Sequence, residues 1–139
     1  MAGPRRILLV LSFALLATGC GKFREIRACR GLAQEVNPVL DEIEALSKAK
    51  APDRELRMAQ RYGALGKRLT PRGVGETPLA GAVRDYASLL LATDNALRSH
   101  AEALRTNNSV RLSETRRELD RLVKRERAAV VRLSVECKA

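Results

Sequence analysis

Three cysteines and a single histidine are the most reactive side chains in this sequence. A catalytic site would need His100 to meet a nucleophile or a water activator, together with a group that orients the ring. Its helical neighbours three and four positions away are Ala96, Leu97, Ala103 and Leu104, and none of them ligates a metal or orients an imidazole. His100 therefore reads as a structural histidine on a packing seam. The enzyme alternative would build a site on His100 with Asp85 or Asp94 from the same helix. The sequence holds no HExxH, no CxxCH, no glycine-rich phosphate loop opening a helix and no Cys/His zinc set. The piece Arg72-Gly73-Val74-Gly75 reads as a flexible turn. The expectation is a chain that is not an enzyme and uses no cofactor and no metal.

The cysteines suggest different chemistry. Cys20 sits in LLATGCGK, behind MAGPRR with its two positive charges and an uncharged run from Ile7 to Ala17. A basic start followed by a short apolar run is the pattern of an export signal. The run supplies about half of the roughly 20 apolar residues that a bilayer-spanning helix needs. Leu16-Ala17-Thr18-Gly19-Cys20 resembles the lipobox of bacterial lipoproteins, with the leucine one place further back than usual and Ala17 at its customary position. The resemblance implies a signal peptide over residues 1–19, lipidation of Cys20, and a short tether over 20–24 ahead of a helical domain at 25–139. It also implies residence in the cell envelope. Gly21 is not the aspartate associated with inner-membrane retention, so in a two-membrane cell the outer membrane, facing the periplasm, is the expected address.

Charge narrows the partners. The chain carries 26 Lys and Arg against 16 Asp and Glu, a net charge of +10. Loss of residues 1–19 removes Arg5 and Arg6 and leaves +8. Such an excess favours anionic partners: headgroups, a surface polymer or an acidic protein face. Nucleic acid is not expected, because an envelope address removes it and because Phe23, Tyr62 and Tyr86 are too scattered to form a stacking platform. A cytosolic nucleic-acid-binding helical protein is the alternative if the N-terminus is not a signal.

The positioning elements follow from apolar steps of three and four. A first helix presents Ile26, Cys29, Ala33, Val36, Leu40 and Ile43, with a kink or break expected near Asn37 because Pro38 follows. A second, Asp53 to Leu69, presents Leu56, Ala59, Tyr62, Leu65 and Leu69, and Gly63 and Gly66 each cost it roughly 1 kcal/mol relative to alanine. TPRGVGETP, residues 70–78, connects it to a third helix at 78–105. That helix carries Leu79, Ala82, Val83, Tyr86, Leu90, Thr93, Leu97, His100 and Leu104 on one face. TNNS at 106–109 offers turn and capping chemistry. A fourth, at 110–137, carries Leu112, Leu119, Val123, Val130, Leu133 and Cys137.

With Cys20 assigned to lipid, Cys29 and Cys137 remain as a pair in an oxidising compartment. Short connections make successive helices antiparallel, and only an even number of them brings both cysteines to one end. The expected fold is thus all-α, an antiparallel up-down-up-down four-helix bundle closed by a Cys29–Cys137 disulfide. In the chain-entropy model such a bond, closing a loop of about 100 residues, contributes up to roughly 4 to 5 kcal/mol. Two charged regions are candidate contacts. Lys22, Arg24, Arg27 and Arg30 follow the lipid site and face anionic headgroups. Lys48, Lys50, Arg54, Arg105 and Arg111 cluster at the distal end, where a partner is expected. The function this implies is a membrane-anchored envelope lipoprotein, a non-catalytic binding or structural module for an envelope protein or anionic surface polymer.

Overall fold

A computed structural model describes residues 4–138, with side chains from residue 24 onward. The expected signal segment, Cys20 and Lys22 lie outside the residues whose side chains are described. The described residues form four α-helices that pack as an all-α assembly: α1 (Pro4–Lys48), α2 (Arg54–Leu69), α3 (Pro78–Arg105) and α4 (Ser109–Lys138). A 3-10 turn, Thr70–Gly73, follows α2 directly. The chain divides into two compact units, Met1–Glu35 and Val36–Ala139. In the first, Leu32 is buried and Ile26 exposed, so the buried stripe of α1 is offset from the expected one.

Within Val36–Ala139, α1 contributes Val36, Val39 and Ile43 to the core. Pro38 lies inside α1, so of the kink or break expected near Asn37 the break does not occur. Asn37 and Pro38 lie on its exposed side, so the buried apolar residues around them hold the helical path despite the missing N–H. Arg61 of α2 pairs with Glu42 of α1 at 3.0 Å.

α3 is the central element, because both α2 and α4 pack on it and its buried surface is correspondingly wide. Its start is well specified. Thr77 Oγ1 accepts from the Ala80 N–H at 3.1 Å, and Pro78 occupies a first-turn position where no N–H is needed. Its end is equally local. Asn107 adopts φ 52°, which asparagine tolerates, and Asn108 Oδ1 accepts from the Arg111 N–H at 3.0 Å to start α4.

Toward α2, α3 presents Ala87, Leu91 and Asp94. A Cβ on Gly66 would lie 2.9 Å from Leu91 Cγ and 3.1 Å from the Ala87 carbonyl, and one on Gly63 would run into Asp94. The two glycines that weaken α2 as an isolated helix are thus what lets it approach α3. Leu65 and Leu69 beside them are fully enclosed. Toward α4, α3 presents Asp85, Leu89, Ala92, Ala96 and His100, which meet Arg132, Leu122, Leu119, Ala129 and Thr115.

The α4 seam differs from the expected one. Val123 and Val130 are exposed, at 44% and 39%. The side turned inward runs Leu112, Thr115, Leu119, Leu122, Glu126, Ala129 and Leu133 in unbroken steps of three and four. Polar side chains at 115 and 126 disguise this stripe, while the two valines imitate one.

Candidate functional site

The end of the Val36–Ala139 unit formed by residues 49–56 and the last turns of α3 carries a cleft of about 460 Å³. Pro52, Leu56, Ala101 and Leu104 give it apolar walls, and Asp53, Glu55, Glu102, Arg98 and Arg105 surround them. Leu56 and Leu104 were expected on packing seams; both are exposed and line this cleft instead. At its edge Asp53 precedes α2 without making a side-chain cap, so its carboxylate is not used by the α2 N-terminus.

The distal cations expected to bind a partner lie at or beside this end, and several are held by acids of the same chain. Lys48 Nζ meets Glu44 at 2.6 Å, Arg54 meets Glu55 at 2.6 Å, and Arg105 meets Glu102 at 2.5 Å. Arg54 also donates to the Ala49 carbonyl at 3.4 Å, closing the α1–α2 loop. Lys50 and Arg111 are exposed, and the charge of Arg111 acts on Glu102. Burial of Glu55 works to raise its pKa, but the Arg54 hydrogen bond, its backbone N–H and the charges of Arg54 and His100 outweigh that, so it lies below its ordinary value. The surface is one of short, salt-sensitive ion pairs around two leucines rather than a bare positive field.

His100 is held from α4. Thr115 Oγ1 lies 2.9 Å from the Arg111 carbonyl and 2.8 Å from His100 Nδ1, so its hydroxyl bridges the ring to the α4 backbone, and the ring tautomer sets which of the two receives its proton. Burial pushes the His100 pKa below its ordinary value; Glu55 opposes this, and Arg116 and Arg54 add to it. Asp94 accepts from Arg98 at 2.7 Å, and Asp85 from Arg132, so neither carboxylate takes the orienting place on His100. Among the described residues no group of three or more His, Cys, Asp or Glu is arranged to hold a metal.

Tyr62, Tyr86 and Glu126, from α2, α3 and α4, form a polar group in the interior. The Tyr86 hydroxyl is fully enclosed and makes no hydrogen bond of ordinary geometry; the Glu126 carboxyl faces it. Burial raises the Glu126 pKa, partly offset by Tyr86. Burial, then Glu126, pushes Tyr62 up to about 12 and moves Tyr86 in the same direction. The sequence reading missed Glu126. Its spacing of four from Leu122 and three from Ala129 was the available signal.

Cys29 and Cys137 are disulfide-bonded, as expected, and half-buried. Arg24, Arg27 and Arg30 are exposed on α1. The Arg72–Gly75 piece is more ordered than a flexible turn: Arg84 Nη1 donates to the Gly73 carbonyl at 2.9 Å and reaches the Gly75 carbonyl at 3.5 Å. Among the described residues no helix is long and apolar enough to cross a membrane. No protein-family model, curated protein or solved structure matches this chain.

Proposed function

We propose that the chain is an envelope lipoprotein: a helical module tethered by acylated Cys20, exported by residues 1–19 and acting by binding rather than catalysis. The observation that carries this reading is the division of labour among three cysteines. Two are disulfide-bonded, a state that persists in oxidising compartments, and the third follows a signal-like segment with small residues at the cut. A diacylated cysteine meets the requirement for stable anchoring, since a single chain holds only reversibly.

The finer architecture belongs to the same proposal. Contacts of α3 with α2 pair 63 with 94 and 66 with 91, and the turn after α2 continues the series with 73 against 84; those between α3 and α4 pair 85 with 132 and 100 with 115. Each series runs in opposite directions along its two helices, which supports an up-down-up-down bundle. Joining Cys29 to Cys137 fits that parity. The partner is an envelope protein or an anionic surface polymer. It engages the cleft end, where Leu56 and Leu104 offer apolar contact and ion pairs can exchange partners. The address is the outer membrane, facing the periplasm, in a two-membrane cell.

Intact-mass measurement of the mature protein tests the anchor: a chain beginning at Cys20 with added acyl mass is expected, and unprocessed Met1 with a free Cys20 thiol rejects it. Non-reducing peptide mapping should find the Cys29 peptide joined to the Cys137 peptide. Crosslinking from positions 56 and 104 in intact cells should capture an envelope component, with loss of the product in Leu56→Asp.

A further inference from the structure

The opposite end of the Val36–Ala139 unit has a different character. Arg84 binds the carbonyls of Gly73 and Gly75, and Arg132 pairs with Asp85 and lies 3.4 Å from where a Gly81 Cβ would stand. These contacts gather three segments at one end: the connector after α2, the first turns of α3 and the last turns of α4. The connector is held there with Val74 at its tip, between Gly73 and a Gly75 whose φ of 119° turns the chain back. Val74 is 78% exposed, and Val131 and Val135 on the last turns of α4 are 62% and 58% exposed.

The segments that meet at this end are rich in cations. Lys67 and Arg68 close α2, Arg72 lies in the 3-10 turn, and Arg84, Arg132 and Lys138 add to them from α3 and α4. The acids at the same end are Glu76, Asp85 and Glu136, half as many. Three separate exposed aliphatic side chains on segments with an excess of cations fit a surface that is apolar below and anionic above. Burying valine in an acyl boundary gains what exposure to water forfeits, and phosphates at headgroup depth attract the cations.

We propose that this end of the unit docks on an anionic phospholipid surface, with Val74 entering the headgroup layer. The inference rests on the envelope reading for the presence of a bilayer, but not on acylation of Cys20.

The chain contains no tryptophan, so one introduced indole reports one position. The full-length chain carrying Val74→Trp is mixed with vesicles of phosphatidylglycerol and phosphatidylethanolamine, or of phosphatidylcholine alone. The same is done with Val110→Trp, at the first turn of α4. The expected result is a blue shift and quenching by brominated acyl chains at position 74 in the anionic vesicles only, with position 110 unchanged. Adding Lys67→Gln to Val74→Trp should weaken that binding about fivefold. A water-exposed spectrum at position 74 in anionic vesicles overturns the proposal. So does an equal shift at both positions, or a shift with a soluble polyanion such as heparin and none with vesicles. Intact mass reads Cys20 acylation separately, so an unacylated chain whose residue 74 still enters the bilayer overturns the anchor and leaves the docking surface standing.

Discussion

α3 packs on α2 and on α4 by different means. Against α2 the contact is close and backbone-led: Gly63 and Gly66 remove side chains so that the helices approach, and Leu65 and Leu69 fill the flanks. Against α4 the contact is built from leucine and alanine and is interrupted by polar groups, with His100 on Thr115, Glu126 facing Tyr86 and Asp85 on Arg132. A backbone-led interface has no room to adjust, so its cost of change is steric. A mixed one stores its cost in protonation and desolvation, and responds to pH.

The largest expected effect is on the α2 side. Gly66→Leu must displace Leu91 and the Ala87 carbonyl, and should destabilise the protein by roughly 3 kcal/mol in urea unfolding, despite leucine's better helix propensity. Measured destabilisation near zero would mean that α2 and α3 are not in close contact.

On the α4 side, Glu126→Gln should stabilise by roughly 1 kcal/mol at pH 7, a single-substitution effect of ordinary size in the unusual direction. Its folded pKa is raised, so Glu126 favours the fold where it is protonated in both states, and that contribution is lost as pH rises through the folded value. The gain from the substitution should therefore vanish at pH 4. His100 runs the other way: its folded pKa is lowered, and the stability it contributes above the unfolded value is lost as pH falls through the folded one. Thr115→Val removes the hydroxyl that hydrogen-bonds His100 Nδ1 and should cost about 1 kcal/mol.

The smallest effect is at the surface of the same interface. Arg132→Ala breaks the pair with Asp85 between half-exposed side chains and should cost less than about 1 kcal/mol, falling further in high salt.

This contrast also explains what the sequence disclosed. The limits of α3 were legible because Thr77, Pro78 and the Thr106–Ser109 turn are local signals, acting within a few residues of themselves. The disulfide-bonded state of Cys29 and Cys137 was legible from thiol parity. The α4 seam was not, because Thr115 and Glu126 are polar and their burial depends on groups from α3 and α2. Gly63 and Gly66 could be seen only as a cost to α2, since their benefit lies in Asp94, Leu91 and Ala87, more than 20 positions away. The cleft end was half legible: its cations were located, but the carboxylates that hold three of them were not matched to them, and Leu56 and Leu104 were placed on the wrong face.

The hold of Arg84 on the connector has a consequence for proteolysis. A protease must draw several residues into an extended form before it can cut, and TPRGVG would satisfy trypsin readily if it were a loose tether. Here cleavage after Arg72 must wait until the 3-10 turn unwinds and the Arg84 guanidinium releases the Gly73 carbonyl. The rate of nicking at Arg72 is therefore a clock for local opening, and Arg84→Gln should make it run faster while the helices on either side remain intact.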